Sequence, residues 1–189
     1  MTRFVYTTAT TLDGYLADDQ HSLDWLFAVP SEGAMQGFTR FLRTIGAQVM
    51  GSSTYEWVCE NEKLREHPER WRDAYGDRAT WVFTARERVG VDGADLHFVG
   101  GSVADHVPAI RASADGGDVW IIGGGDVAGQ FADAGLLDEI RLSVAPVTLG
   151  RGAPLLPRRL ESDRLTLVDV DRTGQFVELV YSVTGAPAT

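Results

Sequence analysis

Two hydrophobic periods take turns along this 189-residue chain. Arg3 to Ala9 predicts a first strand, and Asp13-Gly14 the turn after it. Phe38, Phe41, Leu42 and Ile45 fall at i, i+3, i+4 and i+7, one face of an amphipathic helix. Gln48 to Gly51 predicts a short strand, with the next helix starting at Ser53 or Thr54. The charged stretch from Asn61 to Gly76 contains Pro68 and predicts an exposed insertion with some helix. Ala79 to Thr84 and Asp95 to Val99 predict two more strands. Val103, Val107 and Ile110 predict a helix, which Asp115-Gly116-Gly117 ends. Val119 to Ile122 is apolar and mostly β-branched, as in a strand covered on both faces. Three glycines follow, and then Val127, Ala128, Phe131 and Ala132 recur at helical spacing. Ile140, Leu142 and Val144 alternate with Arg141 and Ser143, a half-buried strand. Leu165 to Asp171 and Gln175 to Val183 predict two long strands joined by a hairpin at Thr173-Gly174. The pattern is that of an α/β protein whose sheet is parallel at first and antiparallel at its end. It predicts one domain over residues 1–184, with 185–189 as a loose tail.

Composition narrows the classes. The formal net charge is −10, and no Lys/Arg cluster supplies the basic footprint that nucleic acid requires. Arg86 and Arg88 stand out as a local exception. Cys59 is the one cysteine, so an internal disulfide is excluded, and its acidic surroundings point to a structural thiol. The N-terminus passes directly into a strand pattern, unlike a signal peptide. No apolar run approaches the roughly 20 residues of a membrane span. These features predict a cytoplasmic protein without a membrane partner. His21, His67, His97 and His106 are scattered without ligand spacing, so no metal site is expected.

The candidate chemistry centres on Gly123-Gly124-Gly125 between a buried strand and a helix. A bare helix N-terminus offers free N–H groups and a positive dipole end to phosphate, and glycine lets backbone approach a ligand closely. A tight turn that needs glycine for geometry is the alternative. Gly123-x-Gly125-x-x-Ala128 fits the Rossmann fingerprint in form. That fold, however, places it after the first strand, with an acid about 20 residues on to hold the ribose. Here the motif comes late, and the region around Val144-Ala145-Pro146 has no carboxylate.

Four blocks instead carry a family likeness. They are Thr8 to Ala17 with its Asp-Gly turn, Val49-Met50-Gly51-Ser52-Ser53-Thr54-Tyr55-Glu56, Trp81 to Arg86, and Trp120 to Gly125. The last is continued by Gly135 to Glu139 and Ala145 to Leu156. In this order they resemble the dihydrofolate reductase-like family. The nearest likeness is to the reductase domain of the bifunctional riboflavin-biosynthesis deaminase/reductase. The resemblance implies a three-layer α/β/α fold with a mostly parallel central sheet and antiparallel C-terminal strands. It also implies NADPH as cofactor, with a cis Gly123–Gly124 peptide beside the pyrophosphate. Ile122, Gly123, Gly124, Gly125, Asp126, Val127 and Ala128 would line that part of the cofactor. Gly51, Ser52, Ser53 and Thr54 would open a second helix under the phosphates, although Ser53 and Thr54 serve equally well as helix caps. Thr84, Ala85 and Arg86 would lie near the adenosine 2′-phosphate, a role that suits the planar arginine fork. Solvation of Arg86 on a loop is the alternative. Ser52 stands where dihydrofolate reductases carry a basic residue, so NADPH preference rests on Arg86.

On the substrate side, Ala9 would place backbone polar groups near the nicotinamide carboxamide. Hydride transfer also requires a proton donor. The acids available are Glu32 and Asp13. Glu32 is poorly spaced for the classical helix carboxylate, and an Asp before Gly, as Asp13 is, more often forms a turn. Thr39 occupies the helix position where small stand-alone members often carry an acid. Trp25, Phe38 and Tyr55 would wall a flat heterocycle if they are not core. The implied activity is NADPH-dependent reduction of a small heterocycle, resembling reduction of the ribosylamino-pyrimidine of riboflavin synthesis. A pterin or folate reductase and a non-catalytic dinucleotide-binding module are the alternatives. The implied partners are a small-molecule substrate and, as is common in the riboflavin branch, a second copy in a homodimer.

Overall fold

The computed structural model describes residues 1–30 and 34–185. Glu32 and residues 186–189 of the expected tail therefore lie outside the described residues. The chain runs β1 (Phe4–Thr11), β2 (Tyr15–Ala17), α1 (Asp24–Phe27), α2 (Ala34–Leu42), β3 (Ile45–Gly51), α3 (Ser52–Asn61), α4 (Glu69–Tyr75), β4 (Ala79–Phe83), β5 (Leu96–Val99), α5 (Val103–Ser113), β6 (Asp118–Gly123), α6 (Gly125–Asp133), β7 (Leu137–Ala145), β8 (Ala153–Pro154), β9 (Leu165–Thr173) and β10 (Phe176–Val183).

Eight strands form one sheet in the order β5-β4-β3-β6-β1-β7-β10-β9. The first six run parallel, and β10 pairs antiparallel with both β7 and β9. The short strands β2 and β8 pair separately. Alternation along the strands sends side chains to two helical layers. Phe4, Tyr6, Val49, Trp81, Val119 and Ile121 face α5 and α6, where Val107, Ile110, Val127 and Phe131 close the larger core. On the other face Val5, Ile45 and Trp120 meet Phe41 of α2. Met50 and Val82 meet Tyr55 and Val58 of α3 and Trp71 of α4. This is the expected three-layer α/β/α architecture with antiparallel C-terminal strands.

Two local expectations are corrected. Ile45 starts β3 rather than extending the preceding helix, because its backbone joins the ladder beside Asp118 of β6. The segment from Asn61 to Gly76 is not an exposed insertion. Leu64 and Trp71 are each 2% exposed, and Trp71 packs against Tyr55 and Tyr75 with ring centroids 6.1 and 4.6 Å away. Its density of charge marks the outer face of a helix whose inner face completes the core.

Burial of the whole indole makes Trp71 the main anchor of α4. Replacing it with alanine is expected to lower stability by about 3–5 kcal/mol, read as a fall in the chemical denaturation midpoint with little change in slope.

Candidate functional site

Ligands of open α/β sheets bind beyond the carboxyl ends of the strands, where the strand order reverses. Here that point is β6, which returns to lie between β3 and β1. Its ladder with β3 continues to Met50–Gly123, but its ladder with β1 stops at Tyr6–Ile121. β1 stays paired with β7 as far as Thr11. From Thr7 onward, the edge of β1 that had faced β6 has no ladder partner: the Thr7 carbonyl accepts instead from the Trp120 indole Nε1 at 3.0 Å, and Ala9 lies beyond it.

On the β3 side of β6 lies a cavity of about 390 Å³. It is lined by Gly51, Ser52, Ser53, Thr54, Phe83, Thr84, Ala85, Gly100, Gly101, Gly124, Asp126, Val127 and Gln130, within the roughly 300–1,000 Å³ range of small-molecule sites. Two helices begin there. The N-cap of α3 is Gly51 and that of α6 is Gly124, and neither has a side-chain cap. The neighbouring α5, by contrast, is capped by Ser102, whose hydroxyl accepts from the Ala104 N–H at 3.2 Å. Two sets of N-terminal N–H groups thus point at one space, which is electrostatically suited to phosphate. Among the described residues no hydrogen bond engages the hydroxyls of Ser52, Ser53 or Thr54.

The three glycines have separable functions. Gly123 has φ +146°, and its peptide bond to Gly124 is cis. Gly124 lines the cavity, and the nearest neighbour of a Cβ there would be Thr54 Oγ1 at 3.9 Å. A Cβ on Gly125 would lie 2.4 Å from the carbonyl oxygens of Pro154 and Leu155. The third glycine thus lets β8 pack on the start of α6.

Charge in the cavity is local. Among the described residues no Lys or Arg lines it. Beside it, the Thr84 hydroxyl accepts from the Arg86 N–H at 3.1 Å and donates to the Arg86 carbonyl at 2.9 Å, tightening the loop after β4. The Arg86 side chain is exposed and, among the described residues, unpaired. Arg88 is committed to Glu56 at 3.0 Å. Asp126 accepts from Gln130 at 2.9 Å and from Arg158 at 3.0 Å. These two contacts hold its carboxyl below the usual carboxylate range.

The structure thus brings together Gly51, Ser52, Ser53, Thr54, Thr84, Ala85, Gly124, Asp126 and Val127 of the expected cofactor residues. Arg86 follows the lining residue Ala85, and Gly123, Gly125 and Ala128 adjoin lining residues along the chain without lining the cavity themselves. Ala128 is fully buried in the core. Ile122 packs on the opposite core clusters. Ala9 lies on the part of β1 that β6 leaves unpaired. The expected wall residues do not gather. Trp25 donates from Nε1 to the Leu16 carbonyl at 3.2 Å and packs beside Val29, Ala145 and Phe176. Phe38 packs edge-on against Trp120, with centroids 5.3 Å apart. Tyr55 is 2% exposed, and its hydroxyl donates to the Val89 carbonyl at 2.7 Å, so this ring belongs to the core under α3. Phe83, Gly100, Gly101 and Gln130 line the cavity without having been expected. The run Phe98-Val99-Gly100-Gly101-Ser102 before α5 repeats the strand–glycine–helix signal of the triple glycine and was the clue to two of them. Among the described residues no cluster of metal-ligating side chains occurs, and no helix is long and apolar enough to cross a membrane.

Asp13 is a latch. Its carboxylate accepts from the Thr11 hydroxyl at 2.6 Å, from the Leu149 N–H at 3.0 Å and from the Gly150 N–H at 2.7 Å. It ties the turn after β1 to the loop after β7. The Thr11 hydrogen bond, with the backbone donors after it, holds this carboxyl below the usual carboxylate range, so it is ionised at neutral pH.

The family model described as the RibD C-terminal domain matches residues 3–179. The uncharacterised protein YyaP of Bacillus subtilis (strain 168) is 28% identical over 188 residues, 97% of this chain and 96% of that protein. Among solved structures, one named as a candidate riboflavin biosynthesis protein of Shewanella sp. PV-4 superposes with a TM-score of 0.78 at 24% identity, covering 97% of this chain and 99% of its own. Dihydrofolate reductase of Enterococcus faecalis, solved with NADP(H), superposes with a TM-score of 0.60 at 19% identity, covering 98% and 97%.

The Asp13 latch has a pH signature. Because the folded pKa is depressed, its contribution is complete above the unfolded value and is lost as pH falls through the folded one. Asp13→Ala is expected to lower the melting temperature at neutral pH. The gap to the wild type should close as pH falls below about 4, as followed by thermal melts across that range.

Proposed function

The chain belongs to the RibD C-terminal domain family, and on that premise we propose that it is an NADPH-dependent reductase of a small, flat heterocycle, working in the cytoplasm. The observation that carries this reading is the pair of side-chain-free helix N-termini, α3 and α6, opening on one glycine-lined cavity. Gly124 leaves room there, and the free hydroxyls of Ser52, Ser53 and Thr54 supply further donors. Oriented N–H groups allow an acidic protein to hold a diphosphate without a lysine in the cavity. The residues present therefore fit the cofactor. Arg86, exposed beside Thr84 and Ala85, is the cation available to a 2′-phosphate. Phe83, Gly100, Gly101 and Gln130 offer a flat and partly polar niche to the adenosine end.

NADPH supplies hydride when bound. The β1 edge that β6 leaves without a ladder, with Ala9 on it beyond the Trp120–Thr7 hydrogen bond, is the place this reading gives to the reacting ring. Asp13 takes part as a positioning residue, since a carboxylate that accepts three hydrogen bonds and is ionised at neutral pH has no proton to give. The likeness to the ribosylamino-pyrimidine reductase of riboflavin synthesis supports the substrate class. The expected homodimer finds support in β9, an edge strand whose Leu167, Val168 and Val170 remain 49–55% exposed.

Titration of the protein with NADPH, read by quenching of its five tryptophans, is expected to saturate. Ser53→Asp should weaken binding by roughly tenfold or more while keeping or raising the melting temperature, because an acid in the first turn suits the helix but repels phosphate. Arg86→Ala should narrow the preference for NADPH over NADH. Saturable binding of neither nucleotide would remove the cofactor assignment. Binding without NADPH oxidation across pterins, pyrimidines and quinones would identify a non-catalytic module instead.

A further inference from the structure

The ring-recognising wall that Trp25, Phe38 and Tyr55 do not form has another source. Phe27 of α1 lies over Trp57 of α3 with the two rings 12° from parallel and their centroids 6.4 Å apart. Phe27 is 65% exposed and Trp57 is half-buried. A large aromatic side chain left in water beside a second ring offers a face to a planar ligand.

The position of the pair is specific. α1 is held on the β7–β10 side of the sheet, where Trp25 and Leu26 pack beside Ala145 and Phe176. α3 continues directly from β3. In the sheet order, β6 and β1 lie between these two supports, so the contact spans the place where the β1–β6 ladder has ended. Trp57 follows Ser53 by four residues and Thr54 by three, so it stands on the same flank of α3. It stands about one helical turn beyond the cavity-lining Ser53 and Thr54, with one side against the core cluster under α3 and its ring against Phe27. A second observation points to a ligand here. The Thr7 hydroxyl, at the start of the unpaired segment of β1, is buried and has no hydrogen-bond partner. A native structure rarely leaves such a group unsatisfied.

We propose that Phe27 and Trp57 form an aromatic clasp that selects a planar conjugated heterocycle by stacking, with the Thr7 hydroxyl answering a polar atom on the ring's edge. This rests on the nucleotide reading of the cavity, which leaves the unladdered edge of β1 to the substrate. Recognition by ring faces accepts bicyclic and monocyclic heterocycles alike and rejects saturated rings of the same size. It also explains why the aromatic residue nearest the glycine turn in α3, Tyr55, is free to serve the core.

The test uses the full chain loaded with NADPH and titrated with pterin, lumazine and 5,6-diaminouracil, with cyclohexanone as the saturated control. At least one flat ring is expected to quench tryptophan fluorescence saturably, and cyclohexanone is not. Phe27→Leu and Trp57→Leu should each weaken that binding by roughly tenfold, with NADPH affinity unchanged. Trp57→Phe should restore most of it. Thr7→Val, which keeps the side-chain shape, should weaken binding of the ring without shifting NADPH affinity. Phe27 is exposed enough that its substitution tests the clasp even if a Trp57 variant folds poorly. Ring binding that is indifferent to Phe27→Leu, or NADPH binding with no flat ring bound, would overturn the clasp. Loss of NADPH binding in the wild type, with Trp57-dependent ring binding retained, would overturn the nucleotide reading and uphold the clasp.

Discussion

Strand β6 must hydrogen-bond on both edges, to β3 on one side and β1 on the other, and the site follows from where those two ladders end. Val119 and Ile121 are fully buried, so each peptide group of β6 needs a partner within the sheet. The ladder to β3 extends to Gly123, whereas the ladder to β1 ends at Ile121. Because β6 stays with β3 for longer, the start of α6 is brought alongside the start of α3, and the β1 edge beyond Tyr6 is left without a ladder, its Thr7 carbonyl taken by the Trp120 indole. The cavity between the two helix starts and the unladdered edge of β1 are two consequences of one unequal pairing.

Glycine is what that pairing demands. Gly125 admits the carbonyls of β8 to within reach of α6, while Gly124 opens on the cavity beside Thr54. Two needs, one of packing and one of access, meet in three successive residues. The motif serves close packing at one glycine and leaves open space at another.

Electrostatics at the site is short-ranged. A chain of net charge −10 repels an anionic nucleotide at a distance, and over more than a Debye length of about 8 Å such repulsion is screened in physiological salt. Inside the cavity the fields that count come from the two helix ends and from neighbours of Asp126. Arg158 and Gln130 fix that carboxylate, and Arg158 also pairs with Asp133 at 2.6 Å across the face of Gly129. Among the described residues, the one acid that lines the cavity is thus already engaged, by Gln130 of α6 and by Arg158.

The alternation of period 2 and period 3.6 was legible along most of the chain, because burial of one face imposes it locally. The strand–glycine–helix junctions at Gly51 and Gly123 were legible for the same reason, and with them most of the cavity lining. The segment around Trp71 was not. Its charges and Pro68 read as solvent exposure, and only the sheet beneath shows that one face of a seven-residue helix is core. Nor was the sorting of aromatic residues legible: a sequence shows that Trp25, Phe27, Phe38, Tyr55 and Trp57 are present but not which neighbours reach them. The sequence by itself determined the order of elements and the glycine junctions, since both are set by contacts within a few residues. Tertiary structure alone decided that β6 inserts between β3 and β1, that Asp13 binds a loop more than a hundred residues away, and that Phe27 meets Trp57. Each of those depends on pairing between distant segments, for which the local pattern carries no record of register.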